Sequence, residues 1–203
     1  MKSKRLGVLV SGFTLSALMA GALPPGSPAP DFKGVDSNGV THSLSEYRGK
    51  FVVLEWANQG CPYEQKHYLS GNMESLQKQW TGKGVVWLSI ISSAPGEQGY
   101  VTPAQENDYL KTMKASPTAA LLDPQGTIGH LYDAKTTPHM FVIDPAGVLA
   151  YRGAIDNSPD GEGESPTGGK LVNYVDQALD DLAAKRPVAV AETKAYGCGV
   201  KYR

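Results

Sequence analysis

Apolar residues recur along this chain at two spacings, and the order in which the spacings alternate predicts its elements. Phe51-Val-Val-Leu-Glu-Trp56 and Val85-Val-Trp-Leu-Ser-Ile-Ile91 are short, nearly continuous apolar runs, as expected of strands buried in the middle of a sheet. Between them Leu69, Met73, Leu76 and Trp80 fall four, three and four residues apart. That is one face of a helix opening with Pro62, and Gly71-Asn72 inside it predicts a kink. Upstream, residues 32–35 and 40–44 flank Asp36-Ser-Asn-Gly39, an Asn-Gly hairpin signal.

Downstream, residues 92–103 form a Gly-, Pro- and Ser-rich insertion, followed by a helix over about 104–114. Residues 118–122 and 127–132 read as a short strand and a helix. Residues 139–144 and 148–152 read as two strands joined by Asp144-Pro-Ala-Gly147, a turn signal. After an acidic loop over 156–169, a last helix carries Leu171, Val175, Ala178, Leu179 and Leu182 on one face. The order predicts an α/β sandwich: a central mixed sheet flanked by helices, with an N-terminal β-hairpin. The change from parallel to antiparallel pairing is expected near Pro138.

Residues 1–22 have the form of a signal peptide: Lys2, Lys4 and Arg5, an apolar stretch over 6–18, then Ala20-Gly21-Ala22 as a cleavage site. Ser11, Gly12, Thr14 and Ser16 make that stretch a poor membrane span, so export without a lasting membrane attachment is expected. Residues 23–30 are a proline-rich leader, 31–186 one domain, and 187–203 a tail. Cleavage removes three of the 19 basic residues and none of the 20 acidic ones, leaving a net charge of −4. Nothing in that balance points to nucleic acid or an anionic membrane.

The chemistry centres on two cysteines. Cys61 stands where the first apolar strand gives way to the helix, an N-cap position where unpaired N–H groups and the helix dipole favour thiolate. Cys198 lies near the end in Gly197-Cys198-Gly199, whose glycines give the tail freedom to move. Twelve residues beyond Arg186 reach at most ~40 Å, and a domain of this size is about 40 Å across, so Cys198 can reach Cys61. A redox-active pair, a structural staple and two unlinked thiols all fit the sequence.

Other side chains carry paired readings. Asn58 and Gln59 could hold a peroxide or a substrate carbonyl, or only satisfy a turn. Tyr63 could close over the thiol or simply pack. Glu64 suits the first helical turn. His139 is expected as a half-buried strand histidine rather than a base or metal ligand. His67, six residues past Cys61, lies about 240° around the helix and off the thiol's face. Trp56 and Trp87 are expected in the core. The acidic loop with Asp156, Asp160, Glu162 and Glu164 lacks a calcium-loop spacing and reads as a solvated excursion. No metal site or cofactor is expected.

Pro28-Ala-Pro-Asp-Phe32, Asn58-Gln-Gly-Cys61-Pro62-Tyr63 and Thr137-Pro138 before Phe141-Val-Ile-Asp144 together resemble the thioredoxin-like superfamily. Within it the chain resembles the peroxiredoxin-like (redoxin, AhpC/TSA-type) proteins. A narrower likeness covers Ala150-Tyr-Arg-Gly-Ala-Ile-Asp156 and Glu192-Thr-Lys-Ala-Tyr-Gly-Cys198, as in a peroxiredoxin-like subgroup that pairs Cys-Pro-Tyr with a late Gly-Cys. The resemblance implies a cis Thr137-Pro138 bond facing Cys61. It also implies a thiol oxidoreductase in which Cys61 attacks a peroxide or disulfide and Cys198 resolves the product. An external thiol or thioredoxin-like reductant would restore it.

The chain departs from the peroxiredoxin pattern in having Leu54 at its proline position, Asn58 at its threonine position and Pro138 at its arginine position. It lacks the thioredoxin Cys-x-x-Cys, with Asn58 in place of the first cysteine and Glu64 three residues after Cys61, and the Cys-x-x-x-Cys of copper carriers. The alternatives are a binding module stapled by Cys61 and Cys198, or a copper carrier.

Overall fold

The computed structural model describes residues 23–161 and 163–203; the expected signal segment lies outside the described residues. The hairpin forms as β1 (Lys33–Asp36) and β2 (Thr41–Ser43) around the turn at Gly39. The two apolar runs become β3 (Val52–Trp56) and β4 (Val86–Ile91), paired in parallel. β5 (Ala119–Leu122) extends the sheet beside β4 and meets β1. β7 (His139–Ile143) runs antiparallel to β3, and β8 (Leu149–Gly153) antiparallel to β7. The seven-stranded order is β2-β1-β5-β4-β3-β7-β8, with pairing reversed after Pro138 as expected.

Alternation along the central strands sends residues to two cores. Leu54, Trp56, Leu88, Ile90, Phe141 and Tyr132 lie in one. Val53, Trp87, Val142, Tyr151, Met73 and Trp80 lie in the other, with Val175 and Leu179 of the last helix. Both expected core tryptophans, Trp56 and Trp87, are fully buried.

The expected kinked helix is instead two: α1 (Pro62–Leu69) and α2 (Asn72–Thr81). Gly71 at φ +77° separates them, a left-handed conformation that ends one helix and starts the next. The break changes the phase of the apolar face, so Leu69 is 72% exposed rather than in the core with Met73 and Trp80.

α3 (Pro103–Met113) begins with a capping box between Thr102 and Gln105. α4 (Thr127–Leu131) and α5 (Tyr174–Ala183) follow, and Leu171 lies ahead of α5 rather than within it. Among the described residues no helix is long and apolar enough to cross a membrane.

Both ends of the described chain pack on this frame. The Gly26 N–H donates to the Leu149 carbonyl at 2.7 Å, and Ala29 is buried. Past α5 the tail is laced down one end of the sheet. Arg152 N–H donates to Ala191 O, Thr193 N–H to Arg152 O, and Val200 N–H to Lys135 O. Tyr202 stacks on His130 with centroids 4.1 Å apart. Within the tail β9 (Cys198–Gly199) pairs with β6 (Thr136–Thr137), a second, two-stranded sheet.

Candidate active site

β3 and α1 meet at the loop that presents Cys61, and the loop is fixed by its own polar groups. The Asn58 side-chain oxygen accepts from Gly60 N–H at 2.9 Å, while its amide donates to Gln98 O at 3.3 Å. Cys61 N–H donates to Asn58 O, and the Cys61 carbonyl accepts from Glu64 and Gln65 N–H. Cys61 is therefore the N-cap of α1 with Pro62 at the first helical position, as expected. Its side chain is fully buried.

The Thr137–Pro138 bond is cis, and the Thr137 carbonyl lies 3.1 Å from Cys61 Sγ. Thr137 also pairs with Cys198 across β6 and β9. One backbone segment thus touches one cysteine and registers the other. Both are free thiols, and Cys198 stands close enough to Cys61 that each thiol shifts the other's ionisation.

Gly197 makes that register possible. At φ +135°, a Cβ there would stand 2.1 Å from the Thr137 carbonyl oxygen. The glycine therefore serves close approach, and the expected looseness of the tail gives way to a fitted strand.

The thiols are electrostatically unequal. Burial works against ionisation of Cys61, but donation by Cys198 and by nearby backbone N–H groups outweighs it and holds the Cys61 thiol below its ordinary value. Burial, followed by its bond to Cys61, pushes Cys198 up to about 12. Cys61 is the better thiolate, and Cys198 keeps its proton.

Close to them lies a buried acidic group, more than the helix-dipole residue expected at that position. Glu64 is buried, with Oε2 accepting Asn58 N–H at 2.8 Å and Oε1 without a partner. Burial and then Glu55 push it well above the ordinary carboxyl range. Glu55 accepts from Tyr68 Oη, Gln77 Nε2, Trp87 Nε1 and Ser89 Oγ. Its position within an apolar strand was the available signal: a carboxylate there must bring its own donors.

The remaining expected residues divide. Thr137 and Pro138 stand at the thiols, and the Thr137 hydroxyl is buried without a partner. The Gln59 carbonyl accepts from the Gln65 side chain. Tyr63 packs toward Tyr196 with ring centroids 6.3 Å apart. His139 is buried, its Nδ1 accepting Lys135 N–H. Burial, with Arg152 next, pushes it down to about 4. Asp156 is buried, so the acidic loop is not wholly a solvated excursion. Among the described residues no group of three or more His, Cys, Asp or Glu is placed to hold a metal ion.

The chain is similar to known proteins in sequence and in fold. The chain is 27% identical over 139 residues to the thiol-disulfide oxidoreductase ResA of Bacillus subtilis (strain 168), covering 67% of this chain and 72% of ResA. An uncharacterized conserved protein from Geobacillus kaustophilus superposes with a TM-score of 0.77 at 24% identity, over 89% of this chain and 93% of that one. A hypothetical protein from Sinorhizobium meliloti 1021 also gives 0.77, at 21% identity over 90% and 97%. These last two share the thioredoxin-like fold. The model of the AhpC/TSA family matches residues 25–152, from the N-terminal segment through the cysteine loop and cis-proline to β8, and the chain belongs to that family.

Proposed function

We propose that the protein is an exported thiol–disulfide oxidoreductase in which Cys61 is the attacking thiolate and Cys198 the resolving thiol. The observation that carries this reading is the meeting of the two thiols at the N-cap of α1, one held below its ordinary pKa and the other above. Cys61 thiolate attacks a substrate disulfide, forming a mixed disulfide and expelling one substrate thiolate. Cys61 then bears no charge, which removes part of what keeps Cys198 protonated. Cys198 loses its proton and attacks Cys61 Sγ, expelling the second substrate thiolate. The protein gives up two electrons and two protons, the substrate gains two thiols, and an external thiol reductant reverses the change.

A disulfide fits the site better than a peroxide. Attack on a peroxide requires donors aimed at both oxygens. Here the Asn58 side chain is committed to Gly60 and Gln98, and Arg152 is committed to Glu192. Export is supported by the basic start, apolar stretch and small-residue site of residues 1–22.

The test is Cys61→Ser. Serine keeps an N-cap acceptor, so the fold should persist while reduction of a disulfide substrate disappears. Unchanged turnover in the variant refutes the role of Cys61. A Cys61–Cys198 bond that resists reduction until the domain unfolds would favour the stapled binding module, to which the dense lacing of the tail also lends itself.

A further inference from the structure

Six residues past Cys61 on α1, and two residues before Cys198 on the tail, the buried His67 and the half-buried Tyr196 meet in a polar chain. Asn72 Nδ2 lies 2.9 Å from His67 Nδ1, and His67 Nε2 lies 3.1 Å from Tyr196 Oη. The Tyr196 hydroxyl donates to Asp156 Oδ1 at 2.5 Å. An amide N–H₂ can only donate, so His67 Nδ1 accepts and the ring proton sits on Nε2, aimed at Tyr196. The tyrosine proton then goes to Asp156, which can only accept. Every bond runs one way, from α2 through α1 and the tail to the loop after β8.

Neighbouring groups support the same arrangement. Burial and the adjacent Lys66 push His67 down to about 3, so the neutral ring that this chain requires is the form present near pH 7. Lys66 Nζ donates to Ser158 O and lies 5.2 Å over the Tyr196 ring. Ser158 N–H donates to the same Asp156 oxygen.

We infer that Tyr196 is a positioning residue for Cys198, latching the tail to the helix that carries Cys61 and so raising the effective concentration of one thiol at the other. The inference rests on the disulfide-exchange reading above. Among the described residues, the bond to His67 is the tail's hydrogen bond to α1. The anchors beyond Cys198, from Val200, Lys201 and Tyr202, reach Lys135, Ala94 and Ala134 instead. In the disulfide form the covalent bond orders the tail by itself. In the dithiol form the latch adds to the β6–β9 pairing and the backbone bonds that lace the tail, and cutting it loosens that form more than the disulfide form.

The equilibrium to measure is protein dithiol plus oxidised glutathione giving protein disulfide plus two reduced glutathione. Two electrons leave the protein sulfurs and two protons go to glutathione. Tyr196→Phe keeps the ring and removes the hydroxyl. Two hydrogen bonds of ordinary net strength correspond to an equilibrium constant about tenfold lower, a rise in reduction potential of ~30 mV. His67→Leu should give the same change, and the double variant no more than either alone, because the four side chains act as one unit.

The readout is intact mass across a glutathione redox series, with far-UV circular dichroism on each variant. If one variant unfolds, the other carries the test; unfolding of both overturns the latch, since the core does not depend on it. A wild-type disulfide whose equilibrium constant changes less than twofold in both variants overturns the latch alone. Failure of the wild-type protein to form the disulfide overturns the exchange reading, and the latch with it.

Discussion

Glu106 gives a prediction whose size follows from its surroundings. It lies on α3, buried, and burial followed by the Glu55 carboxylate pushes its pKa from the ordinary 4.5 to about 7. That gap corresponds to ~3 kcal/mol of preference for the neutral acid in the folded protein. The sign follows from proton binding. Between pH 4.5 and 7 the folded state holds a proton that the unfolded state has released, so stability falls as pH rises. The contribution is complete below 4.5 and lost as pH passes through 7. Glu106→Gln removes the titration and keeps the volume. Its unfolding free energy relative to wild type should therefore climb by ~3 kcal/mol from pH 4.5 to pH 8. Urea unfolding of both proteins at half-unit pH steps measures that difference curve. Parallel curves across the range, or a variant that loses ground to wild type as pH rises, would refute the assignment of a buried acid coupled to Glu55.

Gly197→Ala places a Cβ against the Thr137 carbonyl at a φ that costs ~1–3 kcal/mol; the β6–β9 pairing should open and Cys198 should alkylate faster, whereas wild-type labelling would contradict the fitted strand. Trp87→Phe removes the 2.6 Å bond to Glu55 Oε2. It should cost ~1–3 kcal/mol near neutral pH, measured by urea unfolding; a neutral result would mean that Glu55 is satisfied without it. Hydrogen peroxide should be reduced ~10²-fold or more slowly than a small disulfide, because the donors for its oxygens are committed elsewhere. Equal rate constants in stopped-flow would show that the site activates peroxide by another route.

Much of this fold was legible because its strands are short apolar runs with a single reading, and because the Asn-Gly turn and the parallel-to-antiparallel switch leave local signals. The break at Gly71 was harder to read. A 4-3-4 spacing continues across it as if the helix were unbroken, and only a left-handed backbone at one residue sends Leu69 to solvent. At the site, Cys61, Pro62 and Thr137-Pro138 could be placed from strand-to-helix grammar and the family resemblance.

The partners of Cys198 could not be placed in that way. β9 is two residues long, and its pairing with β6 depends on Gly197 fitting a carbonyl 60 residues away in sequence. The Tyr196–Asp156–His67 chain likewise joins three distant segments, none with a periodicity of its own. Glu64 looked like a helix-dipole residue and is instead buried close to the thiols, because α1 turns its first-turn side chain into the layer already occupied by Glu55.

The most direct measurement of the account is a single turnover followed by intact mass. Reduced protein and its Cys198→Ser variant are each mixed with a slight excess of oxidised glutathione, quenched in acid and mapped as peptides without reduction. The variant should stop as a one-to-one glutathione adduct on Cys61, while the wild-type chain passes through that adduct to a Cys61–Cys198 disulfide two hydrogens lighter than the dithiol. An adduct that accumulates on Cys198 with Cys61 untouched would contradict the assignment of attacking and resolving thiols.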